Sequence, residues 1–325
     1  MTTATSPRSR EFVATVKLLT FPLLILAMFG LFAMFEPRIA SARNLVNISS
    51  QSTYLIVFAL AQTVVLVPRG FDLSLGNAVS FTSVATALAL TSSFAAGLPG
   101  YAVVVLGLLT GLACGTAVGL FNGFFASVLG IRSFIVTLGA MNICYGLSAT
   151  ISGGRPVFNV PEAFTTFFYS GTFAGIPAPI LWTACVAIAV HVVLSNTVFG
   201  RTLYLMGCNP RAVEVAGLPR RKYFAIAFVL SGALVAIGAL MLTARTGTGE
   251  PNLGGNLLLQ AIAAAVMGGV SLSGGRGGVF HAITGALFIT VLSNGLNFLQ
   301  ISGYLQQIIL GLVIILAIAL DKSRD

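Results

Sequence analysis

The stretch Arg69-Gly-Phe-Asp-Leu-Ser-Leu-Gly76 (RGFDLSLG) interrupts a long apolar part of the chain. It follows the apolar run YLIVFALAQTVVLV (54–67) and precedes a second run, AVSFTSVATALAL (78–90). Pro68 lacks a backbone N–H and disfavours helical geometry at the residue before it, so the first run is predicted to end there as a helix. The stretch is therefore predicted to be a break between two apolar helices.

Three polar side chains in this stretch have candidate roles. Asp72 and Ser74 are expected to cap the second helix, because a side-chain oxygen at that position accepts hydrogen bonds from the free N–H groups of the first turn. Arg69 lies three residues before Asp72 and is a candidate ion-pair partner for it. A lone charged side chain at the centre of a bilayer costs about 2.5–3.5 kcal/mol. The stretch is therefore expected near a membrane surface, or inside the protein beside water.

The composition of the whole chain places it in a membrane. Its 325 residues are 57% hydrophobic and 8% charged, whereas a soluble domain carries about 25% charged residues. Continuous apolar runs of about 20 residues indicate membrane-spanning helices, not the alternating strands of a membrane barrel. The fold class is predicted to be an all-α integral membrane protein in contact with lipid. The net charge of +9 is attributed to basic loop residues, so no nucleic-acid partner is expected.

About ten apolar segments are long enough to be candidate spans. They are 18–35, 45–67, 77–95, 101–129, 133–151, 179–196, 223–244, 256–270, 279–299 and 303–320. Together they form one transmembrane domain, 18–320, between tails at 1–17 and 321–325. Ala40-Ser41-Ala42 resembles a cleavage site, which leaves a signal peptide as the alternative for the first segment. The length of that segment favours an uncleaved helix.

The basic residues predict the orientation of the chain. If the N-terminus is inside and the spans alternate, 13 of the 17 Lys and Arg residues lie in inside segments. The four on the outside are Arg38, Arg43, Arg155 and Arg245. Cytoplasmic loops carry the excess of positive charge. Both termini are therefore predicted to face the cytoplasm.

A second copy of the opening motif lies 199 residues further along the chain. Gly269-Val-Ser-Leu-Ser-Gly-Gly275 aligns with Gly70–Gly76, and both copies lie between helices of the same predicted direction. This predicts a parallel internal repeat, an arrangement found in several transporter folds. The second copy lacks the Lys and Ser/Thr that a phosphate-binding loop needs, so no ATP site is expected in this chain.

Polar neutral side chains, not charged ones, populate the apolar segments. Hydroxyl and amide groups suit a neutral polyhydroxyl solute, and hydrogen bonding between helices is the alternative for any one of them. Asn294 and Asn297 are three residues apart and are predicted to share a helix face. No catalytic residue, metal site or cofactor is expected. The candidates for the helix breaks and a translocation path are Asp72, Ser74, Gly76, Asn77, Ser271, Ser273, Asn294 and Asn297.

Two loops are longer than a simple connection requires. The first, 152–178, is predicted outside and is rich in aromatic residues, Pro and Gly. It is either an ordinary surface loop or a docking ledge for an external partner. The second, 197–222, is predicted inside and holds five basic residues.

The second loop contains a short segment with the sequence of a complete helix. Asn209 is a good N-cap, Pro210 suits the first helical position, and Gly217 suits the left-handed residue after the end. A helix of two turns is marginal alone in water, so contact with another surface is expected. The residues expected to make that contact are Arg211, Val213, Glu214 and Ala216.

Three motifs carry a resemblance to a known family. They are GFDLSLG (70–76), GCNPRAVEVAGL (207–218) and QAIAAAVMGGVSLSGGRGGVFHAITGALFITVLSNGLNFL (260–299). Over residues 10–322 the chain resembles the permease subunits of bacterial ABC importers for monosaccharides, of the ribose/xylose/arabinose/galactofuranose group. These belong with branched-chain amino-acid permeases in one superfamily. The family's first motif usually reads GGIDLS, and here Arg69 and Phe71 stand in place of a glycine and an isoleucine.

The resemblance implies an assembly in the bacterial inner membrane. Two permease subunits, identical or paralogous, would form the pathway, two cytoplasmic ATPase subunits would use the ATP, and a periplasmic binding protein would deliver the sugar. The helix 210–216 matches the segment that couples the permease to its ATPase, and the chain itself would not be an enzyme. The alternative is an ion-coupled secondary transporter of a small polar solute, for which Asp72 is the acidic candidate.

The predicted orientation can be tested by thiol labelling. A single cysteine placed in 152–178 is expected to react with a membrane-impermeant thiol reagent in intact spheroplasts, because that loop is predicted to face the periplasm. A cysteine placed in 197–222 is the control and is expected to react only after lysis. Labelling of the first cysteine only after lysis would refute the orientation.

Overall fold

The computed structural model describes residues 7–93 and 95–322 and divides into two compact units. One unit is Ser50–Ala286, and the other is Met1–Ser49 with Leu287–Asp325. The predicted tails fall partly outside the described residues, which exclude 1–6 and 323–325.

The described residues form thirteen α-helices joined by short connections. Two 3-10 helices lie at Pro37–Ala40 and Ala95–Gly97, and two π-helical turns lie at Phe124–Val128 and Thr166–Ser170. The helices are α1 (Pro7–Phe35), α2 (Ala42–Leu66), α3 (Leu75–Leu90), α4 (Gly100–Gly123), α5 (Ser133–Ser152), α6 (Glu162–Thr165), α7 (Ala178–Asn196), α8 (Val198–Cys208), α9 (Pro210–Val215), α10 (Arg220–Thr246), α11 (Leu257–Met267), α12 (Val279–Phe298) and α13 (Gly303–Lys322).

The all-α membrane architecture is confirmed at the level of its helices. A helix lies at each of the ten predicted apolar segments. In the described part of the chain, six helices are long and apolar enough to cross a membrane. Four shorter apolar stretches are also helical: Phe21–Phe35 within α1, Leu75–Leu90, Leu257–Met267, and Gly303–Leu316 within α13. The number of crossings and the side of each terminus stay predictions.

A stripe of glycines sets the packing of α4 on α10 inside the Ser50–Ala286 unit. Gly107, Gly111, Gly115, Gly119 and Gly123 recur every four residues, and all five are buried. A Cβ at Gly115 would clash with the carbonyl oxygen of Gly232, and one at Gly119 would clash with that of Phe228. Small residues at this spacing let two membrane helices approach until their backbones touch. The two backbones are therefore in direct contact along several turns.

The loop 152–178 contains regular secondary structure and buried side chains. It contains α6, a π-helical turn and a two-residue antiparallel hairpin, Thr172–Phe173 with Ile176–Pro177. The rings of Phe164 and Phe168 are fully buried, whereas Phe173 is exposed. Val157 exchanges two backbone hydrogen bonds with Gly249, at 2.8 and 2.9 Å. Two segments that were predicted to lie outside are therefore paired with each other.

The smaller unit is held by an amide pair. Asn44 donates to the side-chain oxygen of Asn294 at 3.0 Å, and Asn294 donates back to Asn44 at 3.1 Å. Both side chains are buried. Reciprocal amide bonds satisfy both polar groups in an apolar environment, which fixes α2 against α12 within this unit.

The glycine stripe predicts a specific loss of stability. In Gly119→Ala the new methyl group meets the Phe228 carbonyl and lies 3.0 Å from the Cα of Val229. Overpacking of this kind costs about 1–3 kcal/mol, so the apparent melting temperature of the solubilised protein is expected to fall. The matched control is Gly139→Ala on α5, where a Cβ has no heavy atom within 4 Å. Equal melting of the two variants would contradict the proposed packing.

Candidate functional site

The first helix break lies where the sequence predicts it. α2 ends at Leu66 and α3 begins at Leu75, so the motif residues between them are non-helical. Arg69 has a left-handed backbone with φ of +66°. That region favours glycine and is uncommon for other residues. The left-handed backbone gives a physical reason for the glycine that the resembled family carries at this position.

A buried hydrogen-bonded chain fixes the shape of this break. Asp72 accepts from the backbone N–H of Ser74 at 2.9 Å and from its hydroxyl at 2.6 Å. The side-chain amide of Asn122 on α4 donates to the Ser74 hydroxyl at 2.8 Å. Burial raises the pKa of the Asp72 carboxyl above its ordinary value, and the bonds from Ser74 oppose that shift. Asp72 and Ser74 are both buried, so neither lines an open path in this conformation.

Two expectations about these side chains are wrong. Ser74 is the N-cap residue of α3 but makes no side-chain capping bond, because its hydroxyl oxygen accepts from the side-chain amide of Asn122 while its hydrogen is donated to Asp72. The guanidinium of Arg69 does not bond to Asp72 but points to the end of α8. Its Nε donates to the carbonyl of Gly207 at 2.7 Å, and Nη2 lies 3.4 Å from that of Cys208.

The second break separates α11 from α12 and covers residues 268–278. Ser271 closes a turn, since its N–H donates to the Arg276 carbonyl at 3.1 Å and its hydroxyl accepts from Ser273 N–H at 3.2 Å. Ser273 is exposed. Both motif copies thus break helices, as the sequence predicts. The incoming helices differ in length, 25 residues for α2 and 11 for α11, and superposition of the two helix groups stays a prediction.

The two breaks contact each other directly. The N–H of Gly275 donates to the carbonyl of Val67 at 2.9 Å. The ring of Phe71 packs on a buried cluster of Leu66, Ala265 and Val270, which joins the first break to the second. The motif copies, although far apart in sequence, therefore form one structure.

The junction between α8 and α9 lies against both breaks. Gly207 is buried, and a Cβ there would clash with the carbonyl of Val67 and the nitrogen of Gly275. The hydroxyl of Tyr204 on α8 donates to the Gly277 carbonyl at 2.8 Å. Only a glycine at 207 leaves room for the bond between the two breaks, so the end of α8 is locked to them.

The short helix α9 is capped as its sequence predicts. The side chain of Asn209 accepts from the N–H groups of Arg211 and Ala212, at 3.1 and 3.3 Å. Gly217 has a φ of +66° and open space where a Cβ would be. Pro210 is the first helical residue. The local design of this helix is therefore confirmed, and its role stays a prediction.

The face of α9 that was expected to meet a partner needs correction. Val213 is fully buried within its own chain, so its side chain anchors α9 to the rest of the chain. Val215, in contrast, is 90% exposed, and Ala216 is exposed too. Glu214 forms an exposed ion pair with Arg220 at 3.1 Å. The available surface therefore consists of Val215, Ala216 and charged groups.

A cavity of about 800 Å³ lies between the first break and the stretch from α9 to the start of α10. Four cations and one carboxylate are among the side chains around it, which gives the cavity a basic character. They are Arg69, Arg220, Arg221, Lys222 and Glu214. The remaining lining comes mostly from prolines, apolar side chains and the π-helical turn after α4, for example Pro68, Ala126, Met206 and Phe224.

The non-helical segment 247–256 before α11 (the unwound segment) is not among the site residues that the sequence predicts. Gly249 packs against Ala87 near the end of α3, and Gly254 packs against Gly76 at its start. The segment thus follows α3 back along its length, and the N–H of Gly254 donates to the hydroxyl of Ser80 at 3.0 Å. Non-helical backbone at membrane depth is tolerated only where protein buries it or water reaches it.

This segment leads into a helix too short to span. α11 has 11 residues, about 16 Å at 1.5 Å per residue, against a bilayer core of about 30 Å. Asn252 and Asn256 in the unwound segment are exposed. Discontinuous helices at such places often carry substrate sites in transporters. The cluster of glycines with Pro251 is the sequence signal for this segment, which the alternation of spans places only in a connection on the outside.

The remaining candidates have separate surroundings. The side chain of Asn77 on α3 donates to the Met141 carbonyl at 2.9 Å. In the smaller unit, Asn294 is buried and paired with Asn44. Asn297 is exposed and accepts from the Gln306 side chain at 2.8 Å. The two asparagines of α12 therefore do not present one polar face.

Comparison with known proteins gives several similar chains. The galactose/methyl galactoside import permease protein MglC of Salmonella typhimurium is 35% identical over 310 residues, covering 92% of each chain. The ribose import permease protein RbsC of Escherichia coli is 31% identical, covering 93% of this chain and 92% of that one. The D-allose transport system permease protein AlsC of Escherichia coli is 30% identical, covering 92% and 89%.

A solved structure and a family model agree with these relatives. An inward-facing metal-chelate type ABC transporter matches the fold with a TM-score of 0.54, at 15% identity, over 93% of this chain and 98% of that one. The family described as branched-chain amino acid transport system / permease component matches residues 44–318. The resemblance that the sequence motifs carry is confirmed, and the chain belongs to the branched-chain amino acid transport system / permease component family.

Proposed function

We propose that this chain is the membrane-spanning permease subunit of an ABC importer that moves a monosaccharide across the bacterial inner membrane. The observation that carries the proposal is near full-length similarity to three import permeases named for galactose, ribose and allose. All three sugars are neutral and rich in hydroxyl groups. Neutral hydroxyl and amide groups in the chain suit such a solute, since they can exchange hydrogen bonds with it without an uncompensated charge.

The path runs along the unwound segment and α3. Asn252 and Asn256 are exposed polar residues on non-helical backbone, and a second copy or a paralogue of the chain completes the path opposite them. Asn77, Ser271 and Ser273 lie at or beside the helix breaks and remain candidates for it. Asp72 and Ser74 have a different role, because their mutual hydrogen bonds hold the first break in shape.

α9 is the docking element for a cytoplasmic ATPase. It projects Val215 and Ala216 from a helix whose other side is anchored by buried Val213. The neighbouring charges, Arg211 and the pair of Glu214 with Arg220, can meet complementary groups on the partner. ATP is bound and hydrolysed by that partner, so the chain needs no cofactor and is not itself an enzyme. A periplasmic binding protein delivers the sugar on the other side.

Sugar uptake tests the proposed function. Cells lacking their own importers, and producing this chain with a sugar-importer ATPase and binding protein of the same genome, are expected to accumulate radiolabelled ribose, galactose or allose. Uptake should stop when ATP is depleted and persist when ion gradients are collapsed. The reverse pattern would favour ion coupling through buried Asp72 and would refute the proposal. The control is the same cell with an ATPase that cannot hydrolyse ATP.

Docking through α9 is tested at Gly217, the left-handed residue after the end of this helix. Gly217→Val forces a β-branched residue into left-handed geometry, a strain of about 1–2 kcal/mol, and so is expected to weaken ATPase binding about tenfold. Gly217→Asn is the matched control, because asparagine tolerates that geometry. The measurement is the ATPase recovered with the tagged chain from detergent-solubilised membranes. Equal recovery with both variants would contradict the role of α9.

A further inference from the structure

The end of α8, immediately before the docking helix, is held between the two helix breaks. The Gly275 N–H donates to the Val67 carbonyl at 2.9 Å, and Gly207 packs against both of these groups. This contact is made entirely by backbone. Any displacement of Gly207 therefore presses directly on both breaks, with no flexible side chain in between.

Arg69 adds a side-chain tie from the first break to the same point. Its Nε donates to the Gly207 carbonyl at 2.7 Å, and its Nη2 is 3.4 Å from the Cys208 carbonyl. These are the last carbonyls of α8, which carry partial negative charge and have no partner in the next helical turn. A guanidinium offers several donors in a fixed plane and suits two adjacent acceptors.

The left-handed backbone of Arg69 is strained, which indicates that the contacts of its side chain have a function. A glycine would adopt its φ of +66° without strain. The long side chain packs along Gly274 of the second break, because a Cβ at Gly274 would lie 2.5 Å from the Arg69 Cγ. The arginine therefore touches all three elements: its own break, the second break and the end of α8.

We propose that Arg69 is a positioning residue that couples α9 to both helix breaks, so that a movement imposed on α9 reaches the two breaks together. The inference rests on the proposed function, in which α9 receives the ATPase. Asn209 caps α9 directly after Cys208, so the clamped carbonyls of α8 and the docking helix are separated by one residue. Arg69 touches neither the sugar nor ATP in this scheme and acts through the position of α8.

The test is the ratio of sugar transported to ATP hydrolysed by the complete importer in proteoliposomes. Arg69→Gly keeps the left-handed backbone and removes the tie, and Arg69→Asn does the same with a polar side chain that is too short to reach Gly207. Both are expected to retain the ATPase and hydrolysis close to wild type, while sugar moved per ATP falls about tenfold, within the range of ordinary coupling energies. Arg69→Lys, which keeps one donor and the charge, is expected to recover part of the ratio.

A control variant and the possible outcomes distinguish the coupling role of Arg69 from the proposed importer function. Arg132→Gly removes another exposed arginine at the N-cap position of α5, where glycine is acceptable, and should leave the ratio unchanged. A wild-type ratio in both Arg69→Gly and Arg69→Asn would overturn the coupling role. Loss of the ATPase from these variants would overturn it as well, because Arg69 would then act in docking. A wild-type chain that neither retains an ATPase nor moves sugar would refute the proposed function itself.

Discussion

The hydrogen bond from Gly275 to the Val67 carbonyl is the constraint around which the helix breaks are arranged. Each break releases backbone groups that a continuous helix would have satisfied internally, and such groups are costly in an apolar environment. Each break supplies the partner that the other needs. Both must therefore lie at the same place, although they are far apart in sequence. Gly207 can enter only because it has no side chain, so the bond also fixes the end of α8.

Other features of the Ser50–Ala286 unit support this arrangement. The glycine stripe brings α4 directly onto α10, which places Asn122 of α4 where it can bond to Ser74 in the first break. The unwound segment before α11 packs its Gly254 on Gly76 at the start of α3. Glycine therefore has the same role in the helix breaks, the glycine stripe and the unwound segment. In each of them it allows one backbone to approach another closely.

Much of the fold could be predicted from the sequence because its signals are local. Apolar length located a helix at each candidate segment, Pro68 and the motif glycines located the breaks, and Asn209 with Gly217 located α9. Local rules act within a few residues, so they hold before tertiary packing is known. The same reasoning recognised the second motif copy, since its residues match the first.

The errors concern contacts between distant parts of the chain. Sequence spacing favoured Asp72 as the partner of Arg69, but the carbonyls of α8 accept its hydrogen bonds. Val213 was expected to meet a partner, but the sequence of a short helix does not show which side its own chain buries. For the unwound segment the sequence predicts only a connection between helices. Its path back along α3 is a tertiary contact, which the structure shows and local sequence does not.

Hydrogen–deuterium exchange of the complete importer tests most directly whether the breaks and α8 act as one unit. Exchange would be compared without nucleotide and with a non-hydrolysable ATP analogue, for peptides that cover 67–74, 204–209 and 268–278. Because the Gly275–Val67 bond and the Arg69 tie join these segments, we predict that exchange changes in all three together. A change confined to 204–209 and α9, with both breaks unaffected, would contradict it.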